Sequence, residues 1–148
     1  FGSLMWTNGS YGINHYVYGY NPDPLNQPWS LTYDRDMPWG TIGGTGNDSQ
    51  VPLLLDCTWA GTFPSMSDII PPSGDDVWPE QGLGLRIQCE MARVCLDRHG
   101  KAINSLFMDM SATGVPLWKL WDLKWHRLWT AQNYSRSDLV DANGVPWL

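Results

Sequence analysis

His99 is followed, after nine residues, by Asp109. An imidazole beside a carboxylate can hold and pass a proton near neutral pH, which makes the pair a candidate for acid–base chemistry. Catalysis would also require a pocket and room for a substrate. A simpler role is available. Residues flanking a tight turn at this separation can meet across two strands, and a partly buried His–Asp contact would pin that hairpin by about 1 kcal/mol. Asn104 would then satisfy loose backbone groups near the turn. The structural role is the expectation here. Cys57, Cys89 and Cys95 form no CxxC pair, and no histidine stands at zinc-ligand spacing from them. Their odd number leaves two options open: buried free thiols, or one bridge with one thiol left over. No G-x-S-x-G elbow is present. Calcium ligation has candidates in Asp68, Asp75 and Asp76, within a proline-rich stretch, and a second set in Asp23, Asp34 and Asp36. Neither set has EF-hand spacing, and solvated acidic loops are the alternative.

The elements that must carry these residues are short. Ser10 to Tyr18 alternates bulky and small residues, with aromatic and β-branched content that predicts a strand. From Gly19 to Gln50 proline and glycine recur, which predicts turns with little regular structure. Val51 to Cys57 is an apolar run bounded by turns and reads as a buried strand. A second loop runs from Gly61 to Gly84. Ala92–Arg98 and Ala102–Asp109 are expected to pair as a hairpin around His99-Gly100-Lys101. Pro116 suits a first helical turn, and Leu117, Leu120, Trp121 and Lys124 then fall at helical spacing, so a short helix is predicted. Trp121 and Trp125 belong to its packed face. Trp118 and Trp129 are assigned to contacts with a neighbouring subunit, because Trp is enriched at interface hot spots.

Composition bounds the function classes. The chain has 148 residues, enough for a single domain with its own core. Charged residues make up only 16%, against 43% hydrophobic residues with ten Trp and six Tyr. That balance implies some aromatic surface used for contacts. A net charge of -6 disfavours nucleic acid and anionic membrane as partners. No apolar run is long enough to span a bilayer.

Arg98-His99-Gly100-Lys101-Ala102-Ile103-Asn104-Ser105-Leu106-Phe107-Met108-Asp109 resembles the signature of the prepilin-type H-x9-DG proteins, a pseudopilin-like family. His99, Asn104, Phe107 and Asp109 match that signature, and Met110 stands where the pattern has glycine. Leu117-Trp118-Lys119-Leu120-Trp121 and Leu123-Lys124-Trp125-His126-Arg127 resemble the family's tail. Ser10-Tyr11-Gly12-Ile13-Asn14, Val51-Pro52-Leu53-Leu54-Leu55-Asp56 and Pro71-Pro72 are similar to its upstream pieces, in the same order.

The resemblance implies an α+β domain over residues 1–148: an antiparallel sheet with long loops and a short C-terminal helix. It implies a pilin-like globular part from which the N-terminal stalk helix is missing, that helix being cleaved, truncated or a separate chain. The expected function is that of a structural subunit of an extracellular pilus-like filament or a type II secretion pseudopilus, and not an enzyme. Its partners would be copies of itself or other pilin subunits, at the cell surface or in the periplasm. Pseudopilins of this kind bind calcium in a C-terminal loop, which adds support to Asp68, Asp75 and Asp76 as a calcium set; no other cofactor is expected. The alternative from another class is an aromatic-rich carbohydrate-binding module.

Overall fold

The computed structural model describes residues 11–17, 36–71, 89–141 and 143–146. Within them the regular structure is mostly β. Strands β1 (Tyr11–Asn14), β2 (Pro52–Asp56), β3 (Gly61–Thr62), β4 (Ala102–Phe107) and β5 (Ala112–Pro116) form one sheet in the order β3-β1-β2-β4-β5. β1 with β2, β2 with β4, and β4 with β5 run antiparallel. β3 lies parallel to β1, so the sheet is mixed and not wholly antiparallel as expected. Short 3-10 turns replace longer helices. The helix predicted after Pro116 is a 3-10 helix over Leu117–Asp122.

Alternation decides which side of the sheet is covered. In β4, Ile103, Ser105 and Phe107 are buried, while Asn104 is exposed and Leu106 half-buried. Leu55 of β2 and Val115 of β5 share the buried side. Against them pack Met91, Val94, Cys95 and Leu96 from one loop, and Leu117, Leu120, Trp121, Trp125 and Trp129 from the other. Trp121, on the 3-10 helix, and Trp125, beyond its end, are both fully buried, as expected. Trp125 donates its indole N–H to the Leu120 carbonyl at 2.8 Å, so its polar atom is satisfied inside the core. At β1 the backbone approaches so closely that a Cβ on Gly12 would lie 2.5 Å from the Trp59 carbonyl oxygen. Only glycine fits there.

The expected hairpin between Ala92–Arg98 and Ala102–Asp109 is not formed. Glu90–Arg93 is a 3-10 helix, and Val94, Cys95 and Leu96 are all buried in succession. A strand with one wet face cannot bury consecutive residues, because its side chains alternate. The backbone donors are met locally instead: Cys95 N–H by the Met91 carbonyl at 2.9 Å and Arg98 N–H by the Leu96 carbonyl at 2.9 Å. The hairpin is β4–β5. Its turn has Met110 N–H donating to the Phe107 carbonyl and Phe107 N–H donating to the Ser111 carbonyl, each at 2.9 Å. Met110 sits there at φ 66°, the left-handed position that a glycine occupies without strain.

Met110 is 62% exposed, so little packing rewards its strained backbone. Met110→Gly should stabilise the chain by about 1 kcal/mol and raise the thermal midpoint by about 3 °C. Thermal unfolding followed by circular dichroism checks this; an unchanged or lowered midpoint would contradict the strain assignment.

Candidate functional site

His99 does not reach Asp109. The two lie at opposite ends of β4, because β4 runs straight between them instead of folding back at the glycine turn. His99 Nε2 stands 3.1 Å from Asp56 Oδ2, at the end of β2. The same oxygen accepts the Asn104 backbone N–H at 2.6 Å. β2 pairs with β4 only as far as Leu55 opposite Ser105, so the Asp56 carboxylate takes over the next donor where the ladder stops. Asn104 thus takes part through its main chain. Asp109 accepts Ser111 N–H at 2.9 Å and Ser111 Oγ–H at 2.6 Å, holding the β4–β5 turn. That hydrogen bonding pulls its carboxyl below the usual range. Phe107 is a core residue, 3% exposed. The role of Asp56 is not marked in the sequence, because its partners are set by where the β2–β4 ladder stops.

A second polar centre lies beneath β3. Asp68 and Glu90 are both buried. Asp68 accepts the Met91 N–H at 2.7 Å. Glu90 accepts the Phe63 N–H at 3.1 Å and pairs with Arg93 at 2.6 Å. Tyr16 and His15 close over them, with the His15 ring stacked on Phe63 at 4.1 Å. Burial pushes the Asp68 carboxyl up to about 7. Glu90 is raised for the same reason, in part offset by Arg93. Calcium binding needs ionised oxygens facing a common point, whereas Asp68 is turned inward onto a backbone donor. Asp75, Asp76, Asp23 and Asp34 lie outside the described residues, and Asp36 is exposed. Among the described residues no group of three His, Cys, Asp or Glu side chains is placed to hold a metal.

The interface assignment of Trp129 is overturned. Trp129 is 1% exposed, donates its indole N–H to the Trp121 carbonyl at 3.0 Å, and meets Trp125 edge-on at 6.4 Å. Past the end of the 3-10 helix the chain turns it inward, so helical spacing no longer predicts its direction. Trp118 is half-buried against the core. His126 is fully buried between Tyr16, at 4.8 Å, and Trp129, at 5.4 Å. Neither of its ring nitrogens meets a hydrogen-bond partner in the protein, and burial pushes it down to about 4. All three cysteines are free and buried. Burial raises Cys57 and Cys89 to about 11 and Cys95 further, so none is a thiolate at neutral pH.

The surface feature that remains is the other side of the sheet, where Ile13 and Leu106 pack in part against a second cluster of Val17, Val51, Leu53 and Met108. Tyr11, Leu54, Leu106, Ala112 and Gly114 line an open depression of about 510 Å3 there. Tyr11 is 57% exposed and Leu54 39%. Apolar side chains left on one face of a sheet have hydrophobic surface available for a partner. No family model, curated protein or solved structure matches the chain.

The buried Asp68 and His126 titrate in opposite senses. From 3.8 to about 7 the folded state keeps a proton on Asp68 that the unfolded chain has released, so this contribution to stability is lost as pH rises through about 7. From 6.5 down to about 4 the unfolded chain takes up a proton that His126 refuses, so stability is lost as pH falls. In the wild type the slopes oppose each other. Asp68→Asn should leave a chain that weakens towards acid, and His126→Phe one that strengthens towards acid, each by up to about 1.4 kcal/mol per pH unit. Urea unfolding midpoints between about pH 4.5 and about pH 6.5 measure the slopes; equal slopes in both variants would refute the assignment.

Proposed function

We propose that this chain is the globular part of a pilin-like structural subunit, working in an extracellular filament or a secretion pseudopilus by packing against other subunits. The observation that carries the proposal is the difference between the two sides of the sheet: the inner face is filled by the tryptophan layer, and the outer face presents Tyr11 and Leu54 to solvent beside the half-buried Leu106. In the α+β arrangement that the resemblance implies, an apolar stalk helix packs on a sheet, and this outer face is suited to receive it. Support also comes from the run His99 to Asp109. The residues that carry the resemblance fall on a turn contact, a core ring and a turn cap, structural roles that hold β4 in place. Repeated head-to-tail contacts that do not close on themselves generate a helical filament.

A carbohydrate-binding module remains the second reading, supported by the exposed rings of Tyr11 at 57% and Trp59 at 45%. It has less to rest on than the tryptophan count suggested, because Trp121, Trp125 and Trp129 are internal. Tryptophan fluorescence titrated with a glycan panel separates the two, since saturable binding would favour the module.

The filament proposal predicts a specific loss. Leu54→Asp places a charge on the outer face at a partly exposed position, so folding should survive. Assembly with the subunits or helix that co-purify from the native source should fall by about tenfold or more. Electron microscopy and sedimentation of the assembled material read this out; undiminished assembly by a folded Leu54→Asp chain would count against the outer face as the contact.

A further inference from the structure

We propose that β5 is a pairing edge for a second copy of this chain, joined antiparallel about Thr113, so that two sheets become one continuous sheet. The hydrogen-bond phase of the hairpin fixes which backbone groups are free. Phe107 N–H donates to Ser111 at 2.9 Å, and Leu117 N–H donates to Lys101 at 3.0 Å. Both pairs obey the register that sets Ser105 opposite Thr113 and Ile103 opposite Val115. In an antiparallel ladder, bonded and non-bonded pairs alternate. Thr113 and Val115 therefore spend their backbone groups on β4, while Ala112 and Gly114 aim theirs away from the sheet. β5 is the last strand in the sheet order, and Ala112, Thr113 and Gly114 are all exposed.

Such an edge usually carries a device against self-pairing: a lysine, a bulge, an early proline or extreme shortness. The opposite edge, β3, is only two residues long. β5 is five residues long, has no charged side chain, pairs with β4 without a register shift, and has its proline only at its end. Among the described residues no strand lies beyond β5, and the sheet face above Gly114 is clear, since a Cβ there would meet nothing within 4 Å.

A second copy of β5 satisfies the free groups in full, and the absence of charge on the edge lets two copies approach. When two copies of β5 cross about Thr113, Ala112 of each faces Gly114 of the other. Ala112 N–H then donates to the partner's Gly114 carbonyl and Gly114 N–H to the partner's Ala112 carbonyl. Every outward donor and acceptor of Ala112 and Gly114 is used, and the edge carries no charge to repel its copy despite the net charge of -6. The apolar depression, which already reaches β5 at Ala112 and Gly114, becomes continuous across the joint. This pairing is an isologous contact and stands independently of the filament proposal.

Analytical ultracentrifugation of the full 148-residue chain tests the inference. At about 100 μM the wild type should sediment at twice the 16.7 kDa monomer mass, within reach of a modest strand-pairing interface. Gly114→Lys should sediment as a monomer with an unchanged melting temperature. The register is tested separately by cross-linking. Thr113→Cys should form an intermolecular disulfide under mild oxidation at least about tenfold faster than Ala112→Cys, because non-hydrogen-bonded partners directly opposite bring their Cβ atoms closest. The native cysteines are buried and do not compete. A monomer up to about millimolar concentration would overturn the pairing and leave the edge to a strand from another protein. A dimer that Gly114→Lys leaves intact, or cross-linking equally fast at both positions, would overturn it as well.

Discussion

The side-chain amide of Asn14 fixes how the two layers of this domain meet. It is fully buried. Its Nδ2 donates to the Pro52 carbonyl and to the Trp125 carbonyl, each at 3.0 Å, and its Oδ1 accepts the Tyr16 N–H at 3.1 Å. One side chain thus ties β1 to β2 and both to the tryptophan segment, which is far away in sequence. Hydrophobic burial supplies most of the driving force but carries no direction. Polar groups buried with every bond made do carry direction, because a shifted register would strand them without partners. Trp39 adds to the same point by donating its indole N–H to the Trp125 carbonyl at 3.2 Å. The position of the tryptophan layer on the sheet is therefore specified by hydrogen bonds and held there by packing.

That constraint has a consequence for the rest of the surface. The C-terminal chain is pinned to one face, where Trp121, Trp125 and Trp129 fill the space over Leu55, Ile103 and Val115. The other face is left with Leu54, Leu106 and Tyr11. A chain with ten tryptophans and few charges could have distributed its aromatic area over the whole surface; most of the described part lies inside instead. The exposed apolar surface on that face comes from strand alternation and not from the tryptophan series.

What was legible in the sequence follows the same division. The apolar run at Val51 to Cys57 gave β2, because a continuous apolar run bounded by turns is a local signal, and the glycine turn at His99-Gly100-Lys101 marked the start of β4. The burial of Trp121 followed from its spacing; Trp125 is buried too, but beyond the end of the 3-10 helix. The partner of β4 was not legible. Ala112-Thr113-Gly114 has weak strand character, and Met110 hides the glycine that would have marked the turn, whereas Val94-Cys95-Leu96 has strong strand character and is buried as a coil. Propensity was outweighed there by packing. The role of Asp56 was hidden for a different reason: its partners, His99 and the Asn104 N–H, are set by where a ladder ends, which is a property of tertiary register.

The acidic side chains share one use that their sequence context disguises. Asp56 accepts from Asn104 N–H, Asp68 from Met91, Glu90 from Phe63, Asp109 from Ser111, Asp138 from Ser135, and Asp141 from Asn143 and Val145. Asp48 does the same for Gly44 and Thr45. Backbone N–H groups demand acceptors wherever they lie. A chain whose strands are short has many donors that no ladder serves, and a carboxylate is the strongest acceptor a side chain offers. The excess of acid over base is thus explained in large part by loop construction. Of the first calcium set Asp68 is the described member, and its Oδ2 is taken up by the Met91 N–H.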